Sequence, residues 1–265
     1  LLPQDEPVLV ALLHERLVAE GVEIACNAEV RSVNRNPDGS ITAHGAVNGA
    51  PQWWSAQRIL VATGREPNIE GLGLEGLGVE IGPSGVTVDE RGRTNVHSIY
   101  VAGDLTGQSL FTHAAGYEGV RAVRDAFLPG RGKAPEFVPW CTFTDPELAH
   151  AGLTVDEAEA RYGDDVDVWR IDLAHNDRAR AEPSGPGAIV VITAKGRIIG
   201  AHVLAPGAGE IVHELALAIR AEMRLADVAA LVHVYPTIST SIGQLASEAV
   251  YERAAKLRWL VRKGK

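Results

Sequence analysis

The chain has 265 residues, 46% of them hydrophobic, with a formal net charge of −9. That is enough apolar material for sizeable cores in two or more domains. The acidic balance argues against nucleic-acid binding, and no apolar run reaches the roughly 18–20 residues that span a bilayer.

The first residues, LLPQDEP, carry no basic stretch of the kind that starts a signal peptide, and the absence of an initial Met suits an excised or proteolysed segment, or removal of the Met. Residues 5–20 place apolar side chains at 8, 9, 12, 13 and 17, which predicts a helix ending at Gly21. Short strands are expected at Val22–Ile24, 28–34, 40–44 and 53–62, with a turn at Pro37-Asp38-Gly39. The last of these strands ends in the apolar run Ile59-Leu60-Val61-Ala62. Residues 65–84 are rich in loop formers. A strand at 86–88 and a buried-type strand, Ile99-Tyr100-Val101-Ala102, precede a helix at 112–127. Pro129 to Pro135 is the best linker candidate. Beyond it, antiparallel strands are expected at 137–143, 166–173, 188–194 and 197–205, the last two joined by a tight turn at Lys195-Gly196. Helices at 154–162, 208–222, 225–233 and 238–255 pack beside them as an α+β layer. The basic end of the chain (Arg253, Lys256, Arg258, Arg262, Lys263 and Lys265) suits a helix C-terminus.

The two cysteines, Cys26 and Cys141, make no C-x-x-C motif and no disulfide framework. Each reads as a small buried hydrophobe in a cytoplasmic protein. Other motifs fail on context. Gly71-Leu72-Gly73-Leu74-Glu75-Gly76 fits G-x-G-x-x-G, but no buried strand precedes it and no helix follows to receive a pyrophosphate. His213-Glu214 begins H-E-x-x-H, yet position 217 is Leu.

Four segments in order carry more weight: Val61-Ala62-Thr63-Gly64-Arg65-Glu66-Pro67-Asn68, Thr94-Asn95-Val96-His97-Ser98-Ile99-Tyr100-Val101-Ala102-Gly103-Asp104, Phe143-Thr144-Asp145-Pro146-Glu147-Leu148-Ala149 with Gly152-Leu153-Thr154, and His233-Val234-Tyr235-Pro236-Thr237. Together they resemble the pyridine nucleotide-disulfide oxidoreductases, the family of dihydrolipoamide dehydrogenase and mercuric reductase, over nearly the whole chain. Asn176-Asp177-Arg178-Ala179 and Gly209–Glu214 lean toward the mercuric-reductase branch.

The resemblance implies an α/β plus α+β plan in three parts. Residues 1–65 would be the C-terminal part of a doubly wound NAD(P)-binding domain, 66–134 that of an FAD-binding domain, and 135–265 an α+β dimerisation domain with an antiparallel sheet. It makes Asp104 the acceptor for a ribityl hydroxyl of FAD and brings the backbone of Gly103 to the pyrophosphate. The helix starting at Thr112, His113 and Ala114 would aim its positive end at the flavin, with Thr112 also an N-cap candidate. Thr63 and Gly64 would pass close to FAD. Where the family carries a His acid/base and an orienting Glu, this chain has Tyr235 and Thr240. A phenol with its usual pKa of about 10 is a poor base at neutral pH. His233, two residues earlier, is either a substitute base or a packed or surface side chain.

The glycine fingerprints for FAD and NAD(P)H and the family's C-x-x-x-x-C pair do not occur in these residues. The expectation is therefore a homodimer through 135–265 that binds FAD weakly or not at all by itself and does not turn over. Two readings stay open: part of an FAD-dependent, NAD(P)H-using oxidoreductase, or a noncatalytic homodimerisation module. The second includes one subunit of a split enzyme whose N-terminal half is a separate chain.

Overall fold

The computed structural model describes residues 1–128, 135, 137–183, 185 and 187–256. Most of the expected Pro129–Pro135 linker, and Arg258, Arg262, Lys263 and Lys265, lie outside these residues. The chain divides into two compact units: residues 17–133 with Leu1, and residues 2–16 with 134–265.

Helix α1 (Pro7–Ala19) crosses the division. It stops at Gly21, whose φ of +91° a side chain would resist. In the first unit, β1 (Ala28–Arg35), β2 (Ile41–Val47) and β3 (Ala50–Ala56) form an antiparallel meander in the order β1-β2-β3. Strand β1 is exposed along its whole length. The pair β4 (Ile81–Gly82) and β5 (Gly85–Val86) and helix α2 (Thr112–Phe127) complete the unit. Its small core joins Val79, Val86 and Val101 to Leu74, Ile99 and Leu105.

Three expected strands are absent as sheet strands. Val22–Ile24 is extended but unladdered. Ile59-Leu60-Val61-Ala62 pairs with nothing, and Leu60 and Val61 are 89% and 72% exposed. Ile99–Ala102 joins only the preceding loop, through the bridge Arg93–Tyr100 and the bonds Val101 N to the Gly92 carbonyl, Thr94 N to the Ile99 carbonyl and Ile99 N to the Val96 carbonyl. All three have strand-like composition, but an extended apolar run becomes a strand only when neighbours take its backbone donors and acceptors. Glu75–Leu77 is a single 3₁₀ turn and no α-helix follows the glycine run at 71–76, in keeping with its rejection as a nucleotide fingerprint.

The second unit holds β6 (Trp140–Thr142), β7 (Glu147–Gly152), α3 (Val155–Tyr162), β8 (Val166–Asp172), α4 (Asp177–Ala181), β9 (Ala188–Ala194), β10 (Arg197–Ala205), α5 (Ala208–Arg220), α6 (Leu225–Ala229) and α7 (Thr240–Lys256). Its five strands are antiparallel in the order β6-β7-β10-β9-β8. Lys195 and Gly196 both take positive φ, as the two-residue hairpin requires. Strand β9 is buried at every position. One sheet face, through Ala149, Ala151, Val191, Ala201 and Val203, packs on α5 and α7. Strand β7 and helix α4 were not expected from the sequence, and the expected helix at 225–233 ends at Ala229.

The opposite sheet face carries a polar inclusion. His150 on β7 and His202 on β10 are register partners, both buried, with rings edge to face at 4.5 Å. Each donates from Nε2 to a carbonyl, of Gly152 and Leu153 respectively, which leaves each Nδ1 buried without a partner. Trp140 stacks on His150 at 3.5 Å and donates to Asp5, while Glu6 accepts from Val155 N. The residues just before α1 are thus fastened to this face.

Burial, with the neighbouring His202 second, depresses the His150 pKa to about 3; burial depresses that of His202 to about 4. Unfolded, both imidazoles take up protons near pH 6.5. The folded state binds fewer protons between there and about pH 4, so stability is full above pH 6.5 and falls as the pH drops, at up to about 1.4 kcal/mol per pH unit for each histidine. Asp5 and Glu6, raised mainly by burial, bind protons more readily when folded and oppose the trend in the carboxylate range. The urea midpoint is expected to fall between pH 7.5 and 5, and to fall less steeply in His150→Leu. A midpoint that is flat over that range would exclude neutral buried imidazoles.

Candidate functional site

In the first unit, Gly103 opens a 3₁₀ turn (Gly103–Thr106) with φ +72°. A Cβ there would come within 2.7 Å of the Ala115 Cβ, so glycine is what lets this turn lie on the first turn of α2. Glu118, one turn further along α2, accepts from Gly103 N at 2.7 Å, and Thr106 Oγ1 closes the turn onto the Gly103 carbonyl. The far end of α2 is tied by Asp125, whose nearly buried carboxylate meets Arg93 at 3.0 Å, Arg91 at 3.4 Å and the Tyr100 hydroxyl at 3.2 Å. Two arginines around one carboxylate satisfy a charge that burial alone would penalise.

These contacts leave Asp104 with a side chain 46% exposed beside the start of α2. Arg65 reaches it at 3.8 Å and donates to the Leu110 carbonyl at 3.1 Å. Arg65 thereby brings the Thr63-Gly64 segment to Asp104. Gly64 has φ +125° with open space around it. Phe111, not Thr112, occupies the N-cap of α2, and no side chain there caps the helix. The expected Thr112 cap is corrected for this reason: Thr112 already lies inside the first turn. Thr112 and His113 are exposed, Ala114 is buried, and Phe111 stacks on His113 at 5.4 Å. An uncapped N-terminus of a 16-residue helix next to an exposed carboxylate fits a ligand that carries both hydroxyls and charge-accepting atoms. Thr63, Gly64, Gly103, Asp104, Thr112, His113 and Ala114 are the residues this chain can offer it.

In the second unit, Tyr235 and His233 turn to different partners. His233 is nearly buried; its Nε2 donates to Glu214 on α5 at 2.9 Å, and its ring lies against Gly243, where a Cβ would come within 2.7 Å of Nδ1. It is a packed, paired side chain. Tyr235 is 70% exposed and donates its hydroxyl to Asp177 at 2.6 Å. That bond to a carboxylate, with the carboxylate's charge, raises the Tyr235 pKa. The segment is held from below by buried Asn176. Its amide nitrogen donates to the Thr237 carbonyl, Thr240 Oγ1 and Ser241 Oγ, while its oxygen caps α4 at Ala179 N. Glu214 and Asp177 went unnoticed as partners because they lie 19 and 58 residues from His233 and Tyr235; each had a signal only as a member of a stretch that carries the family resemblance.

Cys141 is half-buried beside Glu147, which also accepts from Gly209 N at the start of α5. Burial, then the neighbouring carboxylate, pushes its thiol up to about 12, so it stays protonated and unreactive. Cys26 is exposed rather than buried as expected, since the loop that carries it has no layer over it. Among the described residues there is no group of three side chains suited to a metal ion, and no helix is long and apolar enough to cross a membrane.

The pyridine nucleotide-disulphide oxidoreductase family profile matches residues 1–119, and the profile of that family's dimerisation domain matches residues 138–246. The chain belongs to this family. It is 34% identical to the dihydrolipoyl dehydrogenase of Geobacillus stearothermophilus over 92% of its own length and 51% of the relative's, and 31% identical to the leghemoglobin reductase of Vigna unguiculata over 89% and 46%. Among solved structures it resembles the HOCl-induced flavoprotein disulfide reductase RclA from Escherichia coli, with a TM-score of 0.84 and 25% identity over 93% of this chain and 56% of that one. LpdA from Mycobacterium tuberculosis gives 0.83 and 28%, over 93% and 54%. The chain therefore spans about half the length of the relatives it matches. Its fold class is that of the family: mixed α/β with antiparallel sheets, ending in the dimerisation domain.

Asn176→Ala removes three donor contacts and a helix cap at a buried position. It is expected to cost about 2–3 kcal/mol, read by urea denaturation, with faster amide exchange over residues 237–241. Stability within about 0.5 kcal/mol of wild type would show that Asn176 does not hold the Tyr235 segment.

Proposed function

We propose that this chain supplies flavin contacts and the dimer-forming domain of an FAD-dependent, NAD(P)H-using oxidoreductase of the cytosol, with a disulfide or related acceptor as its final partner. In this reading residues 1–65 and 66–134 are parts of the nicotinamide and flavin domains, and residues 135–265 form the homodimer. The observation that carries it is the Gly103-Asp104 turn, fixed on the uncapped start of α2 with a half-exposed carboxylate that Arg65 reaches at 3.8 Å.

Bound FAD would supply the hydride- and electron-accepting chemistry. The chain's own residues would hold and bias it. Asp104 would accept from a ribityl hydroxyl, Gly103 would hold the turn that brings the backbone toward the pyrophosphate, and Thr63-Gly64 would border the ring. The N–H groups of Thr112, His113 and Ala114 would stabilise negative charge collecting on one edge of it. Tyr235, a protonated phenol held by Asp177, would not abstract protons at neutral pH.

A noncatalytic dimer module is the second reading. The exposed run Ile59–Val61 favours the first: three apolar residues whose backbone joins no sheet among the described residues make a seam for further strands. Without the glycine loops that supply most phosphate donors in this family, a polypeptide of these 265 residues is expected to hold FAD poorly and to show no turnover.

Size-exclusion chromatography with in-line visible absorbance, before and after incubation with excess FAD, tests this. The expected product is a dimer without a flavin band. One flavin per chain would overturn the weak-binding expectation. Residual affinity, read by flavin fluorescence at high chain concentration, should drop at least about tenfold in Asp104→Ala, equivalent to about 1.4 kcal/mol; equal affinities would remove Asp104 from the site. We assign Val232, which is 92% exposed, to the dimer face. Val232→Asp is expected to elute as a monomer with an unchanged circular dichroism spectrum.

A further inference from the structure

The Tyr235–Asp177 pair has a directional consequence. A phenol has one proton and two lone pairs. Here the proton is spent on the Asp177 carboxylate at 2.6 Å, so what Tyr235 offers its surroundings is an acceptor. The second carboxylate oxygen lies beside it on an exposed side chain. The nearest basic residue in sequence, Arg178, is paired with Glu182 and does not neutralise the spot. Asn176, bonded three times to residues 237–241, fixes the distance between α4 and the segment carrying Tyr235. The result is an exposed pair in which the phenol oxygen and the carboxylate oxygens are all acceptors, held in place through Asn176.

We propose that Asp177 is a positioning residue that sets the polarity of the Tyr235 hydroxyl, so that this face receives a hydrogen-bond donor or a cationic group and turns away a thiolate or carboxylate. As a statement about acceptor choice this rests on the oxidoreductase reading above; as a statement about hydroxyl polarity it stands on the geometry. Its chemical logic is that an ionised thiol approaching Tyr235 would find no donor and a like charge, whereas a protonated or metal-associated acceptor would find two oxygens. The raised pKa of the phenol supports the same orientation, because the bond to the carboxylate favours the form that still has a proton to give it.

The test uses the 265-residue chain labelled with ¹³Cζ-tyrosine, the Tyr235 resonance being identified by its loss in Tyr235→Phe. In wild type this resonance should titrate later than an ordinary phenol, whose midpoint is about 10. In Asp177→Asn the midpoint should move down, and Asp177→Glu should restore part of the shift. A structural role alone would leave the Tyr235 midpoint where it was. In the second arm, methylammonium chloride should displace the Tyr235 resonance of the wild type while sodium acetate does not, and Asp177→Asn should lose that preference. Identical midpoints in wild type and Asp177→Asn, or a larger response to acetate than to methylammonium in wild type, would overturn the proposal. Asp177 is exposed, so the variants are expected to fold. Should Asp177→Asn nonetheless unfold, the comparison of Asp177→Glu with wild type decides by the same midpoint. None of these readouts needs flavin or nicotinamide. A failure of the oxidoreductase reading would appear in the flavin experiment and leave this titration unchanged, and the converse also holds.

Discussion

The backbone of an extended apolar segment has to find partners for its N–H and C=O groups, and the two units of this chain meet that demand to different degrees. In the second unit the ladder β7–β10–β9 pairs three strands edge to edge and buries β9 at every position. Helices α5 and α7 then have a continuous apolar surface on which to pack. Unpaired polar backbone in such a layer would cost several kcal/mol, so the ladder comes before the core in the causal order. In the first unit, Ile59–Ala62 has the composition of a buried strand and no ladder, and its side chains face solvent. The same local chemistry gives a core in one place and a seam in the other.

The proposed flavin contacts lie in the first unit and do not depend on a sheet. Gly103 and Asp104 are held by Glu118, by the close fit of Gly103 on Ala115 and, through α2, by Asp125 with its two arginines. These are side-chain fastenings within about 35 residues of sequence, and they set the position of the carboxylate relative to the helix start. Affinity is another matter. One carboxylate and one helix N-terminus position a dinucleotide, whereas most of the free energy of holding its phosphates comes from successive backbone donors in glycine-rich loops.

Legibility followed the range of the interactions. The hairpin at Lys195-Gly196 and the strands around it were readable because alternation, β-branched residues and turn chemistry all lie within 18 residues. Helix α2 was readable from its spacing, but its cap was assigned by residue type to Thr112 when geometry gives that place to Phe111. Strand β7 was missed because Leu-Ala-His-Ala has little β preference of its own; it is a strand because β6 and β10 flank it. Ile59–Ala62 failed for the mirror-image reason. At the sites, Asp104 and Tyr235 could be found by motif, whereas Asp177, 58 residues from Tyr235, could be found as its partner only in space.

The substitution at Tyr235 also changes what a nearby histidine means. His233 has a carboxylate partner, which in isolation would suggest an acid/base pair. Its imidazole, however, is turned inward, with Nε2 spent on Glu214 and Nδ1 packed against the α7 backbone at Gly243, so no substrate proton can reach it without dismantling that packing. The exposed position belongs to the phenol, and the phenol is coupled to a second acid rather than to a base. Two pairings that look equivalent as residue types, histidine with glutamate and tyrosine with aspartate, thus divide the labour: the first fastens the loop to α5, and the second decides which charge that loop presents. On the reading proposed above, a chain built this way would keep the scaffold of an acid/base site and replace proton transfer there with selection by polarity.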